Sequence, residues 1–205
     1  LTNATLARDE VLPGTETATL LAEIEDAANR AAELTKQLLA YAGKGRVALE
    51  VTDVASLLRE LRPRFARDFP QNVELVLDPA PEHLEARLDR SSMGQVLGSL
   101  LANAVEALEG RAGTVRVRVS EARLGPEEAR RAHLVGPSEA RYIAIAVEDE
   151  GVGMPPEVLA RAFDPFFSTK FAGRGLGLAA ALGIARSHHG GIEASSKAGA
   201  GSVFT

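Results

Sequence analysis

The 205-residue sequence contains no cysteine. Disulfides and thiolate zinc sites are therefore excluded, although this absence by itself places the chain neither inside nor outside a cell. No apolar run approaches the roughly 20 residues needed to cross a bilayer, and no signal-peptide pattern opens the chain. There is no basic stripe either. Net charge is -5, with acidic and basic residues mixed along the sequence, which argues against nucleic-acid binding. No methionine precedes Leu1, and Val203-Phe204-Thr205 ends the chain in what reads as a strand. Both ends are expected to cut through structure, so a parent protein with membrane segments elsewhere is compatible with this stretch.

What is present is ordinary for a globular protein. Hydrophobic residues make up 45% and charged residues 25%, and the length suffices for one or two domains with a proper core. Two regions differ in character. From Thr17 to Ala42 the sequence is alanine-rich and free of glycine and proline. Leu20, Ile24, Ala27, Ala31, Leu34, Leu38 and Tyr41 follow alternating steps of four and three. That is the seam of a coiled coil or helical bundle, with Gly43 and Gly45 as stop signals. Asp9 to Thr15 reads as a turn and Leu1 to Arg8 as the tail of an earlier helix. The region is expected to be a helical hairpin lacking most of its first arm. It either packs on its own chain or pairs with a second copy in a four-helix bundle.

After Gly45 the pattern is α/β. Strands are expected at Arg46 to Val51, Val73 to Leu77, Leu84 to Leu88, Thr114 to Glu121 and Tyr142 to Glu148, and closing strands at Gly191 to Ser196 and Ser202 to Thr205. Helices are expected from a cap at Asp53 to Asp68, from Ser91 to Glu109 and from Gly175 to His188. Leu124 to Arg141 is a charged excursion. Residues 150 to 174 read as a long loop with at most one short helix, a length that is usually functional or disordered. The fold class is α+β: a helical hairpin, residues 1–45, followed by an α/β sandwich, residues 46–205, whose mixed sheet is covered on one side by helices.

Three stretches carry candidate chemistry. Asp149-Glu150-Gly151-Val152-Gly153-Met154 directly follows a β-branched strand. A buried carboxylate there can accept a hydrogen bond from the exocyclic amine of adenine, where guanine would present a repelled carbonyl. The two glycines let the backbone turn sharply against a flat ring. Taken alone, the pattern also fits a simple turn. Gly173-Arg174-Gly175-Leu176-Gly177-Leu178-Ala179 enters a helix, exposing N–H groups to an anion, with Lys170 and Arg174 as nearby positive charge. A flexible connector is the plainer reading. No GK[ST] closes it, so it is not a Walker loop. Asn103, a poor mid-helix residue, shares a polar face with Ser99 and Glu106, and its side-chain carbonyl suits Mg2+. A polar surface residue is the alternative.

The order of these motifs resembles the ATP-binding domain shared by gyrase, Hsp90, histidine kinases and MutL. Phe163-Asp164-Pro165-Phe166-Phe167-Ser168-Thr169-Lys170 is similar to the phenylalanine motif of histidine kinases, and the glycine motif follows it closely. His189-Gly190-Gly191 and Gly199-Ala200-Gly201-Ser202-Val203-Phe204 resemble that family's C-terminal pattern. Leu39 to Gly45 has a counterpart in the nitrogen-regulation and hybrid-kinase type. The resemblance implies ATP and Mg2+ as ligands and a nucleotide site of Asn103, Glu106, Asp149, Gly151, Gly153, Met154, Thr169, Lys170, Arg174, Gly175, Leu176, Gly177, Leu178 and Ser202, with Asn103 on the metal. It further implies a homodimer through the hairpin, a response-regulator receiver domain as partner, a cytoplasmic location, and no nucleic-acid or membrane contact by this stretch.

Two departures stand out. Ser99 occupies a position where the family often has asparagine. The family's phosphoacceptor histidine is not in the sequence, and aligning Leu1 to Ala7 with its helix puts it about ten residues upstream, about 15 Å by helical rise. No catalytic residue of that kind is expected in this chain. The rivals are a nucleotide-binding interaction module without kinase chemistry and a gyrase, Hsp90 or MutL-type ATPase. The latter needs a carboxylate one turn before Asn103, where Ser99 stands.

Overall fold

The computed structural model describes residues 6–7, 10–12, 14–41, 47–79, 84–137, 140–169 and 175–205. The first long element is α1 (Glu16–Tyr41). Thr15 starts it, its Oγ1 accepting from the N–H of Ala18 at 3.3 Å. Then come β1 (Glu50–Asp53), α2 (Val54–Asp68), β2 (Val73–Leu77), β3 (Glu85–Leu88), α3 (Arg90–Ala107) and β4 (Gly113–Arg123). The remainder is α4 (Pro126–Arg131), β5 (Arg141–Asp149), α5 (Pro156–Leu159), α6 (Gly177–Ser187), β6 (Ala194–Ser196) and β7 (Ser202–Phe204).

Five strands form a sheet of order β2-β4-β5-β7-β6, in which β2 and β4 run parallel and the remaining neighbours antiparallel. The sheet is mixed, as the sequence predicts. Alternation sets its two faces. Val115, Val117 and Val119 of β4 and Val147 of β5 point into the core. There they meet Leu57 and Leu58 of α2, Leu97, Leu101 and Ala104 of α3, and Leu182 and Ile184 of α6. Each fully buried leucine or valine contributes about 1.5–3 kcal/mol. The other face carries charge: Arg116 pairs with Asp78 at 2.7 Å, and Arg118 pairs with Glu148. Such part-exposed pairs add little stability and keep this face wet.

Element boundaries depart from expectation where a hydrogen bond or a backbone angle intervenes. Residues 47–49 do not join a ladder, because the N–H of Ala48 donates to the Asp89 carboxylate at 2.9 Å. Pairing therefore begins at Glu50, opposite Leu88. The glycine-motif helix starts at Gly177, since Gly175 has φ +63° and cannot be helical. At the far end of α3, Glu109 at φ +51° breaks the helix. The charged excursion contains α4, capped by Glu128, whose Oε2 accepts from Gly125 N–H at 2.8 Å.

The seam of α1 faces outward. Leu20, Ile24 and Leu38 are 52%, 55% and 44% exposed, and Ala27 and Ala31 are exposed as well; the side chains of Leu34 and Tyr41 lie outside the described residues. Meanwhile α1 rests against α6, and the residues it withdraws from solvent, Ala18, Leu21, Ala22, Glu25 and Ala28, follow another stripe. Both expectations for this helix therefore have a face to rest on.

Gly94 and Gly98 sit inside α3 without being forced there by packing. A Cβ added to them would meet Leu61 at 3.8 Å and Phe65 at 3.7 Å, ordinary contact distances. Gly94→Ala and Gly98→Ala should each stabilise the fold by about 0.5–1 kcal/mol. Urea unfolding checks this, and a lower midpoint for either variant would show that the space is not free.

Candidate functional site

The apolar stripe of α3 locks the helix onto the sheet and so decides where its polar residues point. With Leu97, Leu101 and Ala104 buried, Ser99, Asn103 and Glu106 fall on the neighbouring face at spacings of four and three. They line a cleft of about 580 Å³. Its opposite walls come from the loop after β5, from residues 167–169 and from the start of α6.

Asp149 ends β5 and is 4% exposed. Its Oδ1 accepts from the N–H of Gly151 at 2.8 Å, which fixes the carboxylate orientation at the cleft floor. Gly151 is pressed onto the last turn of α3: a Cβ there would lie 2.6 Å from the Ala107 carbonyl oxygen, so a side chain would push the loop off the helix. The neighbouring N–H of Val152 donates to that same carbonyl at 2.9 Å. The loop is fastened on its other side too. Met154 N–H donates to Ser196 Oγ at 2.8 Å, that hydroxyl donates to the Gly201 carbonyl at 2.9 Å, and Ser202 Oγ lies 2.9 Å from it. Ser202 thereby reaches the cleft from β7.

The glycine motif forms the facing wall. Gly175 (φ +63°) bends the chain where a Cβ would stand 2.4 Å from the Phe167 carbonyl oxygen. Leu176 precedes α6 and offers no side-chain cap to the first N–H groups of the helix. Across the cleft, a Cβ at Gly177 would be 3.9 Å from Ser99 Oγ. That is an ordinary contact distance, so the two helices face each other here with room for a methyl group between them.

The structure thus brings Asn103, Glu106, Asp149, Gly153, Met154, Thr169, Gly175, Leu176, Gly177, Leu178 and Ser202 to one cleft, with Gly151 directly behind. Lys170 and Arg174 lie outside the described residues. Sequence reasoning missed an apolar wall of Val152, Val158, Ala162, Phe167 and Phe204. Phe167 stood inside the phenylalanine motif, and its ring carries the Arg161 guanidinium 4.1 Å from its centre. Val158 and Ala162 gave no signal, being ordinary residues brought in by a turn.

Two other hollows are larger, about 1040 Å³ between α2 and α3 and about 650 Å³ beside Arg130, His133 and Arg186. Volume therefore does not select the site. The convergence of three separate sequence motifs on one cleft does.

Residues 88–205 match the model of the family described as histidine kinase-, DNA gyrase B-, and HSP90-like ATPase. Among individual proteins, the chain is similar to sensor kinase CckA of Brucella abortus (strain 2308), 36% identical over 184 residues, which is 88% of this chain and 19% of that protein. Among solved structures it resembles full-length ShkA in complex with AMPPNP, with a TM-score of 0.70 and 20% identity over 96% of this chain and 39% of that one. It also resembles histidine kinase ThkA in complex with the response regulator protein TrrA, with a TM-score of 0.62 and 21% identity over 95% of this chain and 52% of that one. At those identities the two structures establish a shared fold. The chain spans about a fifth of the CckA relative's length. With its motifs gathered on one cleft and more than half its length within the family model, the chain belongs to the histidine kinase-, DNA gyrase B- and HSP90-like ATPase family.

Proposed function

We propose that residues 46–205 are the ATP-binding catalytic domain of a two-component sensor histidine kinase, and that residues 1–45 belong to its dimerisation and phosphotransfer hairpin. The observation that carries this reading is the single cleft shared by Asn103, Asp149 and the start of α6. Its volume lies within the range of small-molecule sites. Asp149, held by Gly151, accepts from the adenine amine, and Met154 offers the ring an apolar contact. The N–H groups opening α6 suit the phosphates, and the sequence just before it supplies the Thr169 hydroxyl and the positive charges of Lys170 and Arg174.

Mg2+ fits the donors at hand. No group of three His, Cys, Asp or Glu residues suited to a metal occurs among the described residues, and Mg2+ in nucleotide sites needs only one or two protein oxygens beside phosphates and water. The Asn103 carbonyl is such an oxygen, with Glu106 one turn further along the same wall. Bound there, the ion neutralises charge on the triphosphate. The protein's part is positioning and electrostatics: the P–O bond to ADP breaks and a histidine nitrogen of the upstream helix takes the phosphoryl group. From there it passes to a response-regulator aspartate. The complex of ThkA with its regulator supports that partner class, as the AMPPNP complex of ShkA supports the nucleotide. Ser99, a hydroxyl in place of a carboxylate one turn before Asn103, speaks against a water-activating ATPase of the gyrase kind.

Calorimetry should find Mg-ATP bound at least about tenfold more tightly than Mg-GTP, and Asp149→Asn should weaken ATP by a similar factor, as an unmatched buried group costs about 1–3 kcal/mol. Equal affinity for both nucleotides removes the adenine role. In the parent protein γ-labelled ATP should leave acid-labile label on histidine, whereas this 205-residue chain should bind ATP without being labelled. Steady phosphate release with no phosphoprotein would instead favour an ATPase.

The exposed seam of α1 supports dimerisation with a second copy. Sedimentation should show self-association that Ile24→Asp with Leu38→Asp abolishes. Identical monomeric behaviour of both forms removes the bundle reading for this stretch.

A further inference from the structure

Asp89 makes more ties than a helix cap requires. Its Oδ1 accepts from Ser92 N–H at 2.8 Å, which caps α3, while Oδ2 accepts from Ala48 N–H at 2.9 Å. Its own N–H donates to Nε2 of His188 at 3.0 Å. The other ring nitrogen, Nδ1, lies 2.8 Å from the Ile184 carbonyl oxygen. A ring nitrogen that faces a backbone N–H must be bare, and one that faces a carbonyl must carry the proton. The surroundings therefore select one neutral tautomer, protonated on Nδ1. The N–H groups of Ser92 and Ala48 hold the Asp89 carboxyl below the ordinary carboxylate range, consistent with a carboxylate committed to two donors.

Three segments meet at this node. One is α3, which carries Ser99 and Asn103. The second is α6, whose opposite end forms the glycine wall. The third is the stretch through Ala48 that links α1 to β1. Neither Asp89 nor His188 lines the cleft. Along the helix axes, Asn103 is about 21 Å from Asp89 and Gly177 about 16 Å from His188. Yet helices are stiff, and these two pack on each other. A slide or rotation at the Asp89 end carries through to the gap where Ser99 faces Gly177.

We propose that Asp89 and His188 are positioning residues for the nucleotide cleft, fixing α3 against α6 at their remote ends and tying both to the segment that follows the helical arm. The cleft's ligand is that of the proposed function; the positioning itself does not depend on it. A purely local cap would leave the far ends of both helices unaffected, so the two possibilities separate by measurement.

His188→Leu keeps bulk but removes the acceptor, whereas the amide oxygen of His188→Gln can still accept from Asp89. Without nucleotide, His188→Leu should speed amide hydrogen exchange at Ala48 and across 178–182 at the cleft end of α6, and His188→Gln should return both toward wild type. Mg-ADP affinity should fall about tenfold in the leucine variant and recover in the glutamine variant. Faster exchange confined to 188–190, or a glutamine variant no better than leucine, overturns the proposal. So does unchanged ADP affinity in the leucine variant. Should wild type bind no Mg-ADP, the nucleotide reading falls, and exchange across 178–182 still decides the positioning claim. If the leucine variant does not fold, Ala48→Pro removes one N–H at an exposed position. It should speed exchange at Ser92 and Met93 and lower ADP affinity severalfold, and unchanged values for both overturn the tie.

Discussion

The arrangement of this protein depends on how α3 sits on the sheet. Leu97, Leu101 and Ala104 must face Val115 and Val117 to leave water, and the 3.6-residue period then leaves no freedom in where Asn103 points. The same seating brings the Ala107 carbonyl under the loop after β5, where Val152 N–H reaches it at 2.9 Å. Burial of one helical stripe thus positions both a polar wall and the loop that closes the cleft. This coupling explains why the glycine at 151 tolerates no Cβ: the helix cannot move aside without exposing the core.

The sheet contributes differently on its two faces. The covered face provides cohesion. The open face, with Arg116, Arg118, Asp78 and Glu148 in alternating register, provides solubility, since charges there remain partly hydrated. Edge strands are handled by brevity at one side, where β6 has three residues, a recurring defence against unwanted strand addition.

Much of this was readable in the sequence because it rests on periodicity or on local backbone demands. Val115, Val117 and Val119 announce a strand by alternation. Glycines around 151 and 175 announce sharp turns at a site. The mixed sheet and the helix-covered face follow from the same patterns. The unreadable part consists of contacts between distant residues. Nothing near Asp89 indicates that its N–H meets His188, or that its carboxylate takes the Ala48 N–H and so shortens β1. Ser196, which holds both Met154 and Ser202, looks in the sequence like any serine at the end of a strand. The short helix α4 was hidden in a polar stretch without an apolar stripe, being too short to display a period.

The stripe by which α1 leans on α6 is built mostly of alanine, with Ala18, Ala22 and Ala28 beside Leu21 and one buried carboxylate, Glu25. An alanine methyl withdrawn from water contributes only about 0.8 kcal/mol, less than the roughly 1.5–3 kcal/mol of a fully buried leucine. The arm and the α/β body are therefore joined by a weakly adhesive, smooth surface. Per residue that surface holds less tightly than the leucine and valine core under the sheet.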